Sequence, residues 1–199
     1  MHDEVLARLT ERLGALRVGD PLDEASDIGA VINQTQFDSI TDYLEDGLAN
    51  PAMQVELGGL PPTTGPLAEG FFHVPTLFSG GDNGFRLARE EIFGPVVVAI
   101  PWTDVDDVVR TANDSAYGLA AYVWSSDIDQ AITTAHRLEA GWVQVNQGGG
   151  QVVGQSYGGY KQSGLGREVS LEGMIAGSTQ TKQVNVRLGH EATPATTGT

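Results

Sequence analysis

Arg89-Glu90-Glu91-Ile92-Phe93-Gly94-Pro95-Val96-Val97-Val98-Ala99-Ile100 is the stretch around which the chain is organised. A charged, turn-like run ends in two carboxylates, an aromatic and a Gly-Pro break follow, and an apolar run closes the segment. Proline disfavours helical dihedrals in the residue before it and donates no backbone hydrogen bond, so no helix crosses the break. Val96 to Ile100 then suits a buried strand. Glu91 and Phe93 are two apart, and in extended backbone they project to the same side. A carboxylate beside an aromatic ring can hold ribose hydroxyls while the ring covers a planar or apolar part of a ligand. A helix-end acid and a core phenylalanine would look the same, and local spacing leaves both readings open.

Downstream, strand and helix patterns alternate. Val105, Val108, Val109 and Ala112 mark a helix opened by Asp104, Asp106 and Asp107, whose charges complement the positive helix end. Leu119 to Trp124 reads as a strand. Asp127 starts a helix carrying Ile128, Ala131, Ile132, Ala135 and Leu138, with Gly141 as its stop. Trp142 to Val145 is the next strand. This alternation predicts an α/β layer, an open and largely parallel sheet with flanking helices. The stretch Asn146 to Gly159 carries six glycines. It is either a ligand-facing loop at a strand end or a surface excursion. Gly164-Leu165-Gly166 follows a polar run and is too weak for a dinucleotide fingerprint. Thr181 to Leu188 alternates as an edge strand, and Gly189 to Thr199 reads as a disordered tail.

Upstream, Val5, Leu6, Leu9, Leu13 and Leu16 predict a helix over about residues 3–16 with one buried face. A second helix runs from about Thr35 to Ala49, capped by Asn33 or Thr35. Gln36 falls in its first turn, and by spacing alone it faces water. Gly58 to Gly70 reads as a hairpin or surface loop between short strands. Phe71 to Phe78 reads as extended, and Gly80 to Gly84 as a turn without the lysine of a phosphate-binding loop.

The composition narrows the chemistry. A net charge of −15, with two lysines and nine arginines, argues against a nucleic-acid partner. No apolar run approaches the roughly 20 residues that span a bilayer. The acidic start Met1-His2-Asp3-Glu4 is no signal peptide, which makes cytoplasm the expected compartment. The sequence has no cysteine, so disulfides, thiolate metal sites and thiol nucleophiles are excluded together. The four histidines show no metal-ligand spacing, and no metal site is expected.

Four segments, in this order, resemble the NAD(P)-dependent aldehyde dehydrogenase superfamily. They are Arg17 to Pro21, Glu90 to Pro95, Ala112-Asn113-Asp114-Ser115-Ala116-Tyr117-Gly118-Leu119-Ala120-Ala121, and Gly158-Gly159-Tyr160-Lys161-Gln162-Ser163-Gly164-Leu165-Gly166-Arg167-Glu168. The resemblance runs from about residue 3 to residue 188 and corresponds to the carboxy-terminal part of the family chain. It implies a partial catalytic domain over residues 1–178, an oligomerisation strand over 179–188, and the tail at 189–199. By the same resemblance, Glu91 is the glutamate that binds the nicotinamide-ribose hydroxyls, and Phe93 the aromatic near that ribose. Gln36 resembles a polar residue that can contact the coenzyme, NAD or NADP. Asn146 and its loop resemble the wall of the aldehyde tunnel. Ser39 stands near a common lysine position, and Ser156-Tyr157 where many members have Pro-Phe.

The family reaction begins with a thiolate attacking the aldehyde, and a serine hydroxyl without an adjacent base is a poor substitute. The resemblance therefore implies an oxidoreductase component without catalytic residues of its own. One expectation is a separate partner chain that supplies the coenzyme domain and the cysteine. The alternatives are a binding or regulatory module that joins a related full-length enzyme through residues 181–188, and a gene remnant.

Overall fold

Helix α2, Gln34–Ala49, is where the expected pattern meets the core. Asn33 caps it, its side chain accepting from the Gln36 amide at 2.9 Å, so Asn33 and not Thr35 fills the capping position. The buried side of α2 presents Ile40, Tyr43, Leu44 and Gly47. These pack with Phe78, Leu87 and Ile92 into one apolar cluster, with Val31, Met53, Val96 and Val98 around it. The computed structural model describes residues 1–186.

Below α2 lies a sheet of three strands: β1 (Met53–Leu57), β2 (Thr76–Gly80) and β3 (Val96–Ala99), in that order. β1 runs antiparallel to β2, and β3 runs parallel to it, with Thr76 opposite Val96 and Ser79 opposite Ala99. The extended run expected over Phe71 to Phe78 therefore contributes strand only from Thr76 onward. Ahead of it, Phe71 and His73 pack on Phe37 of α2, the His73 ring 4.6 Å from that of Phe37. His73 is buried at 1% exposure, and desolvation, opposed by the hydrogen bond to the Phe37 carbonyl, lowers its pKa and favours the neutral ring. A short helix α3, Arg86–Arg89, precedes the Gly94-Pro95 break.

The rest of the α/β layer follows the expected order. Helix α4, Val105–Asn113, is capped by Asp104 accepting from the Asp107 amide. Strand β4 is the pair Tyr117–Gly118, and β5 spans Ala120–Val123. Helix α5, Ile128–Arg137, is capped by Asp127 accepting from the Gln130 amide. Strand β6, Trp142–Val145, lies parallel to β5. Strand β7, Tyr160–Lys161, pairs antiparallel with β4, and helix α6, Leu171–Ser178, follows. The parallel pairs β2–β3 and β5–β6 thus belong to separate sheets among the described residues.

Three expectations change. Helix α5 ends at Arg137, four residues before Gly141, so Gly141 is not its stop. A Cβ on Gly141 would lie 1.7 Å from the Gly158 carbonyl oxygen, so the residue is small to let two backbones touch. Helix α1, His2–Gly14, lies against β1, yet none of its residues is fully buried and Val5 is 57% exposed. Its apolar face borders an open cavity of about 390 Å³ shared with Ala99, Ile100, Pro101 and Trp102. Thr181 to Val186 joins no sheet among the described residues and is exposed, and the remainder of the expected strand and tail lies outside them.

Candidate functional site

Two adjacent carboxylates at the opening motif have different fates. Glu90 ends α3, and its half-exposed carboxylate is held by two donors: the Tyr43 hydroxyl donates to its Oε2 at 2.6 Å, and Arg86 Nε donates to the same oxygen at 3.3 Å. Arg86 also donates to Asp42 at 2.7 Å and Asp46 at 2.8 Å, and its guanidinium lies 3.9 Å from the centre of the Tyr43 ring. The Tyr43 hydrogen bond, followed by that from Arg86, holds the Glu90 carboxyl below its ordinary pKa. Glu91, one residue on, is exposed and forms no side-chain hydrogen bond or ion pair among the described residues. It lines a cavity of about 290 Å³ bordered by Asn113, Tyr117, Ala121, Glu139 and Ser163.

Phe93 is neither a core residue nor part of an extended segment. Its ring is 76% exposed and its φ is +52°, in the left-handed region. That conformation costs a side chain bearing a Cβ roughly 1–2 kcal/mol. Ile92, between Glu91 and Phe93, is buried in the apolar cluster. The motif thus anchors its middle residue and leaves its two flanking side chains in solvent. Gln36 does not face water. Its Nε2 donates to the carbonyl oxygens of Ile92 at 3.0 Å and Phe93 at 3.3 Å.

Asn146 has a structural occupation. Its Nδ2 donates to the Ser125 carbonyl and its Oδ1 accepts from the Ser125 amide, each at 2.9 Å. Its own amide donates to the Val123 carbonyl, so it ties together the exits of β5 and β6. With φ at +54°, it occupies a region that asparagine tolerates better than most residues. One Nδ2 hydrogen and part of the Oδ1 acceptor capacity are left over at this exposed residue.

Residue spacing also missed a clamp between two of the quoted segments. Lys161 Nζ donates to the Asn113 carbonyl at 2.6 Å and meets the Glu139 carboxylate at 2.8 Å. Asn113 in turn bonds the Arg137 carbonyl and the Glu139 amide, each at 2.8 Å. The Ser163 hydroxyl accepts from the Gly118 amide at 3.0 Å, and the Gln162 amide donates to the Ala116 carbonyl. Segments 112–121 and 158–168 are thus partners of each other. The available signal was scarcity: Lys161 is one of only two lysines.

Glu91 and Phe93 are thus both exposed on one loop, and Glu91 borders the cavity next to Asn113 and Ser163 while Phe93 is not among its lining residues. Comparisons with known proteins identify the scaffold that carries this loop. The aldehyde dehydrogenase family model matches residues 1–184. Hydroxyisobutyraldehyde dehydrogenase of Mycolicibacterium austroafricanum is 41% identical over 193 residues, covering 97% of this chain and 37% of that protein. Betaine aldehyde dehydrogenase of Brucella anthropi is 38% identical, covering 98% and 39%. Betaine aldehyde dehydrogenase of Staphylococcus aureus in complex with NAD+ superposes with a TM-score of 0.80 at 34% identity, over 86% of this chain and 34% of that one. A cysteine-to-alanine variant of aldehyde dehydrogenase C from Pseudomonas syringae, complexed with NAD+ and octanal, gives 0.80 at 37% identity, over 86% and 35%.

The chain belongs to the aldehyde dehydrogenase family. It spans well under half the length of these relatives. No helix among the described residues is long and apolar enough to cross a membrane.

Proposed function

We propose that this chain is the carboxy-terminal catalytic-domain component of an NAD(P)-dependent aldehyde dehydrogenase, inactive alone and completed by a polypeptide that brings the coenzyme domain and the cysteine. The observation that carries this reading is that the Glu91 carboxylate is free and the Phe93 ring exposed on one loop, whose residues Glu90 and Ile92 are both committed to the fold. NAD(P), when bound, supplies the hydride acceptor. Glu91 would accept hydrogen bonds from its ribose hydroxyls, and Phe93 would cover the ribose and exclude water. Both residues bind and orient. The thiol has to come from outside these residues, because the sequence contains no cysteine. The open apolar side of α1, and β3 at the end of its sheet, are surfaces on which such a polypeptide could close.

The test mixes this chain with the complementary portion of hydroxyisobutyraldehyde dehydrogenase, with NAD+ and NADP+ in separate arms. Aldehyde-dependent coenzyme reduction is expected only in the mixture. Glu91→Gln should lower it by about tenfold, equivalent to roughly 1.4 kcal/mol of coenzyme or transition-state binding. A stable complex without turnover would defeat the proposal.

A second reading has its own support. Val184 and Val186 are exposed, as are Leu171, Met174 and Ile175 on α6. That surface favours a module that joins another family subunit through its carboxy-terminal segment. On this reading, deletion of residues 181–199 abolishes a complex with a full-length relative, and retained binding excludes it.

A further inference from the structure

We infer that Gln36 is a positioning residue. Its side-chain amide holds Phe93 in the left-handed conformation and so sets the direction in which Phe93 and Glu91 face. In extended backbone successive carbonyls point to opposite sides. One amide nitrogen can reach the carbonyls of Ile92 and Phe93 together only where the chain turns between them, and Phe93 has the φ of +52° that makes such a turn. Carbonyl oxygens only accept, so the contact fixes which end of the Gln36 side chain meets them. The Nε2 end is thus committed to the loop, and Oε1 is free of any bond among the described residues.

The rest of the loop does not do this work. Ile92 is pinned in the core on one side of Phe93. On the other side, a Cβ on Gly94 would lie 2.7 Å from the Ile40 side chain, and the Pro95 carbonyl accepts from the Thr76 amide at 2.9 Å. Those contacts fix the ends of the turn. The exposed Phe93 ring contributes little packing that would hold its own backbone. A non-glycine residue persists in this region only where its surroundings over-determine it, and Gln36 supplies the contact at the residue itself. Gln36 is itself well aimed, because it sits in the first turn of α2 with its backbone amide bound by the Asn33 cap.

The functional consequence rests on the ribose reading of Glu91 and Phe93, but the positioning can be measured without coenzyme. The 199-residue chain is labelled with 4-fluorophenylalanine, and the Phe93 fluorine resonance is assigned from Phe93→Leu. Gln36→Met keeps the side-chain length and removes the donors. It should move the Phe93 resonance by more than its linewidth, or split it, and leave the distant phenylalanines unchanged. Gln36→Lys, whose ammonium can donate to both carbonyls, should restore a single resonance near the original. Asp104→Ala removes a remote helix cap and should leave Phe93 in place despite a loss of stability. An unmoved Phe93 resonance in Gln36→Met overturns the inference. So does an equal shift in Asp104→Ala, or a Gln36→Lys resonance displaced as far as that of Gln36→Met. Should Gln36→Met fail to fold, Gln36→Leu, which also lacks the donors, takes its place under the same criteria. Failure of coenzyme to bind the completed enzyme would count against the ribose reading alone, since no coenzyme is present here.

Discussion

Between Val31 and Ala99, α2 and the three-stranded sheet close over Ile40, Tyr43, Leu44, Phe78, Leu87 and Ile92, a contiguous apolar cluster. Between Val105 and Ser178 the buried apolar side chains are Val109, Ala131 and Trp142, one on each of three elements. Here the elements are joined by polar ties: Lys161 to Asn113 and Glu139, Ser163 to Gly118, Asn146 to Ser125. A cluster excludes water by itself and tolerates polar losses at its rim. Point-to-point ties transmit position accurately, but each is lost with one side chain. The loop that carries Glu91 and Phe93 grows out of the first region, and Glu91 faces a cavity lined by the second. The candidate site therefore depends on both kinds of cohesion.

Phe78→Ala should have the largest effect. The residue is 0% exposed at the centre of the first region. Truncating a buried phenylalanine typically costs about 3–5 kcal/mol, through lost transfer energy and the cavity left behind. Denaturant unfolding should report a loss of that size, and a loss under about 1 kcal/mol would show that the cluster is not the main source of stability.

Lys161→Met probes the second region and should cost about 0.5–1.5 kcal/mol, because it leaves the Asn113 carbonyl and the partly exposed Glu139 carboxylate without their cation. Amide exchange should quicken over residues 112–118 and 158–163, while residues 76–80 and 96–99 keep their protection. Uniform quickening would mean that the two regions unfold as one unit and that the contrast between them is only one of composition.

The sequence is most legible where chemistry is local. Asp104 and Asp127 read as caps because a short acceptor before an apolar-periodic run satisfies open helix amides, and both perform that task. Val96 to Ala99 and Trp142 to Val145 read as strands from their apolar runs and boundaries. Strand β1 was expected only as an unbounded short strand before Gly58, because Gln54 and Glu56 interrupt its apolar character and its pairing is decided by β2, beyond the glycine- and proline-rich loop. The site is harder to read for the same reason. Glu90 and Glu91 are chemically identical in sequence, and only the placement of Tyr43 and Arg86 commits one and leaves the other free. Gln36 faced solvent by helical spacing because nothing near it indicates that residues 92 and 93 pass over the start of α2.

The smallest expected effect concerns the polar rim of the first region, where acidification separates packing from hydrogen bonding. The Tyr43 hydroxyl is the leading cause of the lowered Glu90 pKa, with Arg86 next. A carboxyl whose folded-state pKa is depressed contributes stability above its unfolded value, about 4.3 for glutamate. That contribution is lost as pH falls through the lower folded-state value. Tyr43→Phe keeps the ring in the core and removes the donor. Its deficit in melting temperature should be constant through neutral pH, smaller than that of Lys161→Met because one hydrogen bond is lost instead of a hydrogen bond and an ion pair, and should shrink below about pH 4.3. At the alkaline end the sign reverses. Hydrogen bonding to Glu90 is the first cause raising the Tyr43 pKa, so its contribution is present below the ordinary tyrosine value of about 10 and fades as pH rises through the higher folded one. Thermal melts of both proteins across this range read the pair directly. A deficit unchanged at pH 3.5 would show that what the Tyr43 hydroxyl contributes does not depend on the charge of Glu90.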